Sequence, residues 1–204
     1  MNGQIKMETQ SSNNRILRNF YQQTLSLYTP REESFLDTAS SQVFDRLSFR
    51  YTFTVEAMTK VSYIIEDAAL ANPRVTTLHV SFQYLSRLLP QQARYRRLAD
   101  VVKGLWLYGV PDVPESKFPA LPRAAIVNTT DTILVNYWFV VAYGPGIGMA
   151  LLAEEIPPLE DSDRYYEGFY TFDLDIAYQI IAILNRIYPD KIPRPVRPEQ
   201  LSEL

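Results

Sequence analysis

The chain has 204 residues, enough for one domain that buries roughly 70% of the surface its unfolded form exposes. Hydrophobic residues make up 47% and charged residues 21%, which excludes a mainly disordered or fibrous chain. The absence of cysteine excludes disulfides, thiol catalysis, iron–sulfur clusters and cysteine zinc sites. The single histidine, His79, excludes a histidine-rich metal centre and leaves any Ser–His–Asp triad dependent on that one residue.

The net charge of −3 argues against bulk binding to DNA or anionic membrane. The charge is uneven. Residues 1–110 hold 13 Lys/Arg against 9 Asp/Glu, and residues 111–204 hold 7 against 14. The basic excess concentrates at Arg87, Arg94, Arg96, Arg97 and Lys103, opposed only by Asp100. Such an asymmetry suits either a small anionic ligand or the joining of two protein surfaces.

Along the chain, residues 1–12 are polar and read as a flexible start with no secretory signal. Apolar residues at spacings of three and four then predict a helix over 14–28, capped by Asn13 or Asn14 and stopped by Pro30. Residues 31–52 are irregular, with a short helix around 34–44. A firmer helix runs from Thr54, its cap, to Leu70, and ends at Asn72-Pro73. Residues 75–82 read as a buried strand, 84–89 as a short helix and 91–102 as the basic helix. Further strands are expected at 105–108 and 124–128, separated by a proline-rich loop.

Residues 132–153 carry no charge over 22 positions, long enough for a membrane helix. Gly144-Pro145-Gly146 near the centre and the Val, Ile, Tyr and Trp flanks fit two strands joined by a turn instead. An acidic loop follows over 157–167. The last helix spans 174–188 with Asp173 as cap, and the proline-rich tail beyond it reads as extended. The predicted fold is a mixed α/β sheet of about five strands with an antiparallel hairpin and helices on both faces. The expected units are 1–12, a helical extension at 13–52, a domain at 53–188 and a tail at 189–204.

Few residues announce chemistry. His79 sits mid-strand and reads as a core histidine. Gly144–Gly148 lacks the spacing, lysine and hydroxyl of a phosphate loop, and Pro145 removes a backbone donor, so it reads as a turn. Glu154 and Glu155 are adjacent on a strand and face opposite ways. Asp173 and Asp175 are explained by the helix start. The helix at 91–102 places Arg94, Arg97 and Asp100 in one row, either an internal ion-pair ladder or a grip for phosphate or a guanine edge. Arg15 and Arg18 form a second basic pair on the first helix.

The order of several runs carries more. These are 59–67 (TKVSYIIED), 81–83 (SFQ), 94–99 (RYRRLA), 106–109 (WLYG), 137–141 (YWFVV), 152–155 (LAEE) and 166–173 (YEGFYTFD). The series resembles the DICT sensory domain, a bacterial domain associated with diguanylate cyclases and two-component proteins and abundant in cyanobacteria. Where that family often carries Glu before Trp, this chain has Tyr137 before Trp138, so no acidic role carries over there. The resemblance implies a non-catalytic, cytoplasmic signalling module without a cofactor. The resemblance establishes no ligand; the basic cluster, the many aromatics and the family's association with cyclic di-GMP turnover together make the expected ligand an anion, with cyclic di-GMP the first choice, held by Arg94, Arg97, Asp100, Arg15 and Arg18. Its expected partner is a signalling or transcription-regulating protein, with a homodimer also considered and no direct nucleic-acid or membrane contact. The alternative is a ligand-free adaptor that uses the acidic loop 160–167 and the tail 189–198.

Overall fold

The structure, a computed structural model, describes residues 2–117, 121, 123–157 and 164–203. A long helix, α1 (Asn2–Leu27), leads into a two-residue strand, β1 (Pro30–Arg31), the short helix α2 (Phe35–Thr38) and β2 (Phe49–Thr54). Then come α3 (Val55–Ala71), β3 (Thr77–Tyr84), α4 (Gln92–Val101), β4 (Gly104–Val110) and β5 (Ala124–Asn128). The hairpin β6 (Tyr137–Gly144) and β7 (Ile147–Ile156), β8 (Tyr165–Thr171) and α5 (Leu174–Ile187) complete the core.

All eight strands form one sheet in the order β1-β2-β8-β7-β6-β3-β4-β5. The pairs β1/β2, β3/β4 and β4/β5 are parallel, and the remaining pairs are antiparallel. The mixed class and the hairpin agree with the sequence reading; the count of five strands does not. The additional strands are β1, β2 and β8. In β2 the aromatic residues Phe49, Tyr51 and Phe53 alternate with more exposed Arg50, Thr52 and Thr54, a two-residue period. In β8 the glycine at 168 hides the pattern, yet the strand demands it. A Cβ there would lie 2.4 Å from both the Ala153 Cβ and the Leu152 carbonyl oxygen.

Helices cover both faces. Met58, Val61 and Ile65 of α3 and Leu98 of α4 pack on one face with Phe49, Phe53, Leu105 and Leu151. Leu17, Tyr21 and Leu25 of α1 and Ile180, Ile181 and Leu184 of α5 pack on the other with Phe139, Leu152 and Phe169. α1 starts at Asn2 rather than near residue 14, so the segment read as flexible is helical in backbone. No glycine or proline lies between residues 4 and 27, and a helix already nucleated extends at little cost. Asn13 and Asn14 therefore lie inside it and cap nothing. Asn13 is buried and accepts a bond from Arg186 Nε at 3.4 Å.

Two other caps agree with the reading. Thr54 Oγ1 accepts from the Ala57 amide at 3.3 Å. Asp173 Oδ1 accepts from the amides of Asp175 at 2.8 Å and Ile176 at 3.2 Å. We expect Asp173→Ala to cost about 1 kcal/mol in urea denaturation, the usual worth of such a cap; an unchanged midpoint would show that packing alone starts α5. From Tyr137 on, the charge-free segment is the β6/β7 pair, closed by Pro145-Gly146 with Gly146 at φ +76°, the type II pattern; ahead of it, Ile133–Asn136 forms a 3-10 helix where the first arm was expected to begin. No helix among the described residues is long and apolar enough to cross a membrane.

Candidate functional site

The five residues picked from sequence are split by the sheet. Arg94, Arg97 and Asp100 lie on α4, and Arg15 and Arg18 on α1, across the opposite face. Arg94 is an internal ion-pair residue, but its carboxylates come from α3 rather than from Asp100. Its Nε donates to Glu66 Oε2, its Nη2 to Asp67 Oδ1 at 2.8 Å, and its guanidinium stands 4.1 Å from the centre of the Tyr63 ring. Tyr95 Oη donates to the other Glu66 oxygen at 2.5 Å. Burial raises the Glu66 carboxyl above its ordinary range, and the bonds from Tyr95 and Arg94 only partly offset this. Arg97 and Asp100 are exposed, and the Asp100 carbonyl takes a bond from Arg123 Nη2 at 2.6 Å. Among the described residues, no ion pair joins Arg94, Arg97 and Asp100 to one another, so the internal ladder does not form along that row. Arg15 and Arg18 are exposed beside Asn14, Thr132 and Ile133.

The ends of β3 and β7 and the start of β8 carry a polar cluster that sequence reading missed. Gln83 is buried, lies at a bulge that shifts the β3/β4 register, and has φ +61°. Its amide oxygen accepts from Arg87, from Arg164 Nη2 at 2.8 Å and from Tyr166 Oη at 2.8 Å. Its amide nitrogen donates to Glu155 Oε2 at 2.8 Å. Burial would raise Glu155, but bonds from Arg164 and Gln83 outweigh it and leave the carboxyl below its ordinary range. Glu154 lies on the other face near Tyr21 and Tyr137, as strand alternation requires. This cluster is internally bonded. The cavity beside it, lined by Ser62, Glu66, Ser81, Arg87 and Trp138, is about 40 Å³, room for little more than a water.

The opposite edge is more open. Beyond α5 the chain turns at Tyr188, where the amides of Lys191 and Ile192 bond to its carbonyl, and runs across the sheet face. Trp106 Nε1 donates to the Lys191 carbonyl at 3.2 Å, and Tyr143 Oη to the Val196 carbonyl at 2.5 Å. Ile192 and Leu201 are buried at either end. Beneath this segment lies a pocket of about 550 Å³, within the size range of small-ligand sites.

Its floor is aromatic. The His79 ring stacks on Trp106 with centroids 4.6 Å apart and planes 6° apart, and His79 Nδ1 bonds Tyr108 Oη at 2.8 Å. Burial lowers the His79 pKa to about 3, so the ring is neutral and a poor general base near pH 7.

The rim is basic: Arg74, Lys103 and Arg194 line it, with no carboxylate among the described lining residues. Arg74 and Lys103 come from the loops before β3 and β4. Those loops are tied together by Arg74 N to the Val101 carbonyl at 2.9 Å and Lys103 N to the Thr76 carbonyl at 2.8 Å. Arg74 is held at φ +63°, a conformation costing about 1–2 kcal/mol outside glycine. Such strain is often stored where function needs it. The pocket lies at the amino ends of parallel strands, away from the carboxyl ends where α/β sheets usually bind ligands. A signal existed in the sequence: Arg74, Lys103 and Arg123 each stand just ahead of a parallel strand, which aligns them on one edge.

Chemically the arrangement fits a small anion with a planar ring. The cations meet the negative charge, and the half-buried Trp106 ring, backed by buried His79, offers ring surface. Of the acidic loop considered as an adaptor surface, residues 160–163 lie outside the described residues.

Comparison with solved structures adds the fold alone. A polyphosphate kinase from Porphyromonas gingivalis superposes with a TM-score of 0.54 at 15% identity, over 82% of this chain and 30% of that one. No curated protein matches. A family model described as the sensory domain in diguanylate cyclases and two-component systems, DICT, matches residues 33–156, which includes Arg74, His79, Lys103, Trp106 and Tyr143. The match begins before the expected domain start at 53 and ends before 188. It spans more than half of the sequence, and the chain belongs to the DICT family of sensory domains.

Proposed function

We propose that this sensory domain is a non-catalytic effector. It takes a small anionic ligand in the pocket beneath residues 189–203 and relays its occupancy to a partner protein. The observation that carries the reading is the basic rim of Arg74, Lys103 and Arg194 above the stacked Trp106–His79 rings, with no lining carboxylate among the described residues. The first ligand to test is cyclic di-GMP, the product of the cyclases with which the family is associated. It carries two phosphates and two planar bases. A cytoplasmic setting belongs to the same proposal, because that ligand is made there. The described lining residues offer no carboxylate to a guanine edge, so phosphates and ring faces would dominate recognition and discrimination among bases would be weak.

Calorimetric titration with a panel of cyclic di- and mononucleotides tests this. Arg74→Ala and Lys103→Ala should each weaken binding about 10–100-fold, the worth of a charge-assisted hydrogen bond, with little change in melting. Arg97→Ala, on the other face, should bind normally. An absence of heat and of any melting shift across the whole panel would remove the proposal.

A further inference from the structure

We infer that the segment 189–203 is a strap that closes over the pocket when an anion enters, driven by the charge of Arg194; this rests on the pocket reading above. The strap is weakly held along its middle. Between buried Ile192 and Leu201, residues 193, 194, 196 and 197 are exposed, and prolines at 193, 195 and 198 have no amide to donate. The Tyr143 hydroxyl on the Val196 carbonyl is one anchor there, and Glu199 keeps an interaction of its own nearer Leu201. Segments with few buried contacts and few backbone bonds open locally at low cost. The tail is extended only over residues 193–197, where Pro193 and Pro195 limit the conformations open to it, so reclosing loses little conformational entropy; residues 198–203 form a 3-10 helix instead of the extended tail read from sequence.

Charge sets the direction. Arg194 sits on the strap, whereas Arg74 and Lys103 sit on the body, and all three line one pocket. With the pocket empty, like charges push the strap outward. An anion between them reverses the sign and draws Arg194 in. The strap contributes Pro193, Arg194, Pro195, Val196 and Leu201 to the lining, so a ligand filling the pocket meets it directly. Occupancy therefore changes what the outer surface of the strap presents to a partner.

The test begins without ligand. The Trp106 indole N–H, bonded to the strap at Lys191, reports opening through its hydrogen exchange, read by NMR on the full chain. Arg194→Glu places a carboxylate opposite Arg74 and Lys103. Exchange should slow about threefold, the scale of an exposed ion pair, with Arg194→Gln giving less, and the difference should shrink in about 0.5 M salt, where screening shortens the reach of exposed charges to well under a nanometre. Exchange that is unchanged or faster in Arg194→Glu would overturn the strap.

In the native chain, cyclic di-GMP or pyrophosphate should slow the same exchange. Calorimetric binding without any slowing would also overturn the strap, while leaving the binding reading intact. Slowing in Arg194→Glu, with no anion bound by the native chain, would remove the binding reading and overturn the anion-driven strap with it.

Discussion

Arg94→Ala is expected to lower folding stability by about 3 kcal/mol at pH 8, because it strands a buried carboxylate without its cation. Glu66 is 1% exposed and shares its two oxygens between Arg94 and Tyr95. The loss should depend on pH. The Glu66 pKa is already raised on folding, by burial first, above its ordinary 4.5. A carboxyl of this kind favours the folded state fully below its unfolded pKa, and that advantage is lost as pH rises through the folded pKa. Removing Arg94 raises the folded pKa further, so the penalty should be smaller at pH 5 than at pH 8. Urea denaturation at the two values measures it. Arg94→Lys should recover only part, since an ammonium cannot reach Glu66, Asp67 and the Tyr63 carbonyl as the guanidinium does. A loss below 1 kcal/mol, equal at both values, would mean that Arg94 is free for a ligand role after all.

Gly168→Ala should be as severe, at about 3 kcal/mol, the upper range for overpacking. Gly168 faces Ala153 across the β7/β8 ladder and Tyr51 across β2/β8, in the middle of the sheet. The added methyl would strike the Ala153 Cβ and the Leu152 carbonyl, and backbone cannot step aside without breaking register. β8 also delivers Tyr166 to the Gln83 cluster, so loss of that ladder should loosen the far edge as well. Gly146→Ala is the control. Its Cβ meets nothing within 4 Å, and only the left-handed backbone opposes it, at about 1 kcal/mol. Thermal melting of the two variants together checks the ranking; a milder Gly168→Ala would show that β8 shifts to make room.

The family is legible in the order of short runs, and most elements follow from local rules. The caps at Thr54 and Asp173, the type II turn at Pro145-Gly146 and the strand at residues 124–128 need only a few neighbouring residues. The opposed faces of Glu154 and Glu155 follow from strand period alone. Three strands were hidden for particular reasons. β1 is two residues long, β2 has its alternation within a polar stretch, and β8 is broken by Gly168, whose need appears only once Ala153 lies against it.

The site was less legible because charge clusters in sequence are not clusters in space. Arg94 and Arg97 are three apart on one helix, yet one turns into Glu66 and Asp67 while the other faces solvent. Arg74, Lys103 and Arg194 span 120 positions and share no motif. They meet because β3 and β4 run parallel, which brings the two preceding loops to one edge, and because the segment after α5 folds back over Trp106 and Tyr143. Short-range spacing set the elements; long-range strand pairing and the path of that segment decided which charges share a pocket.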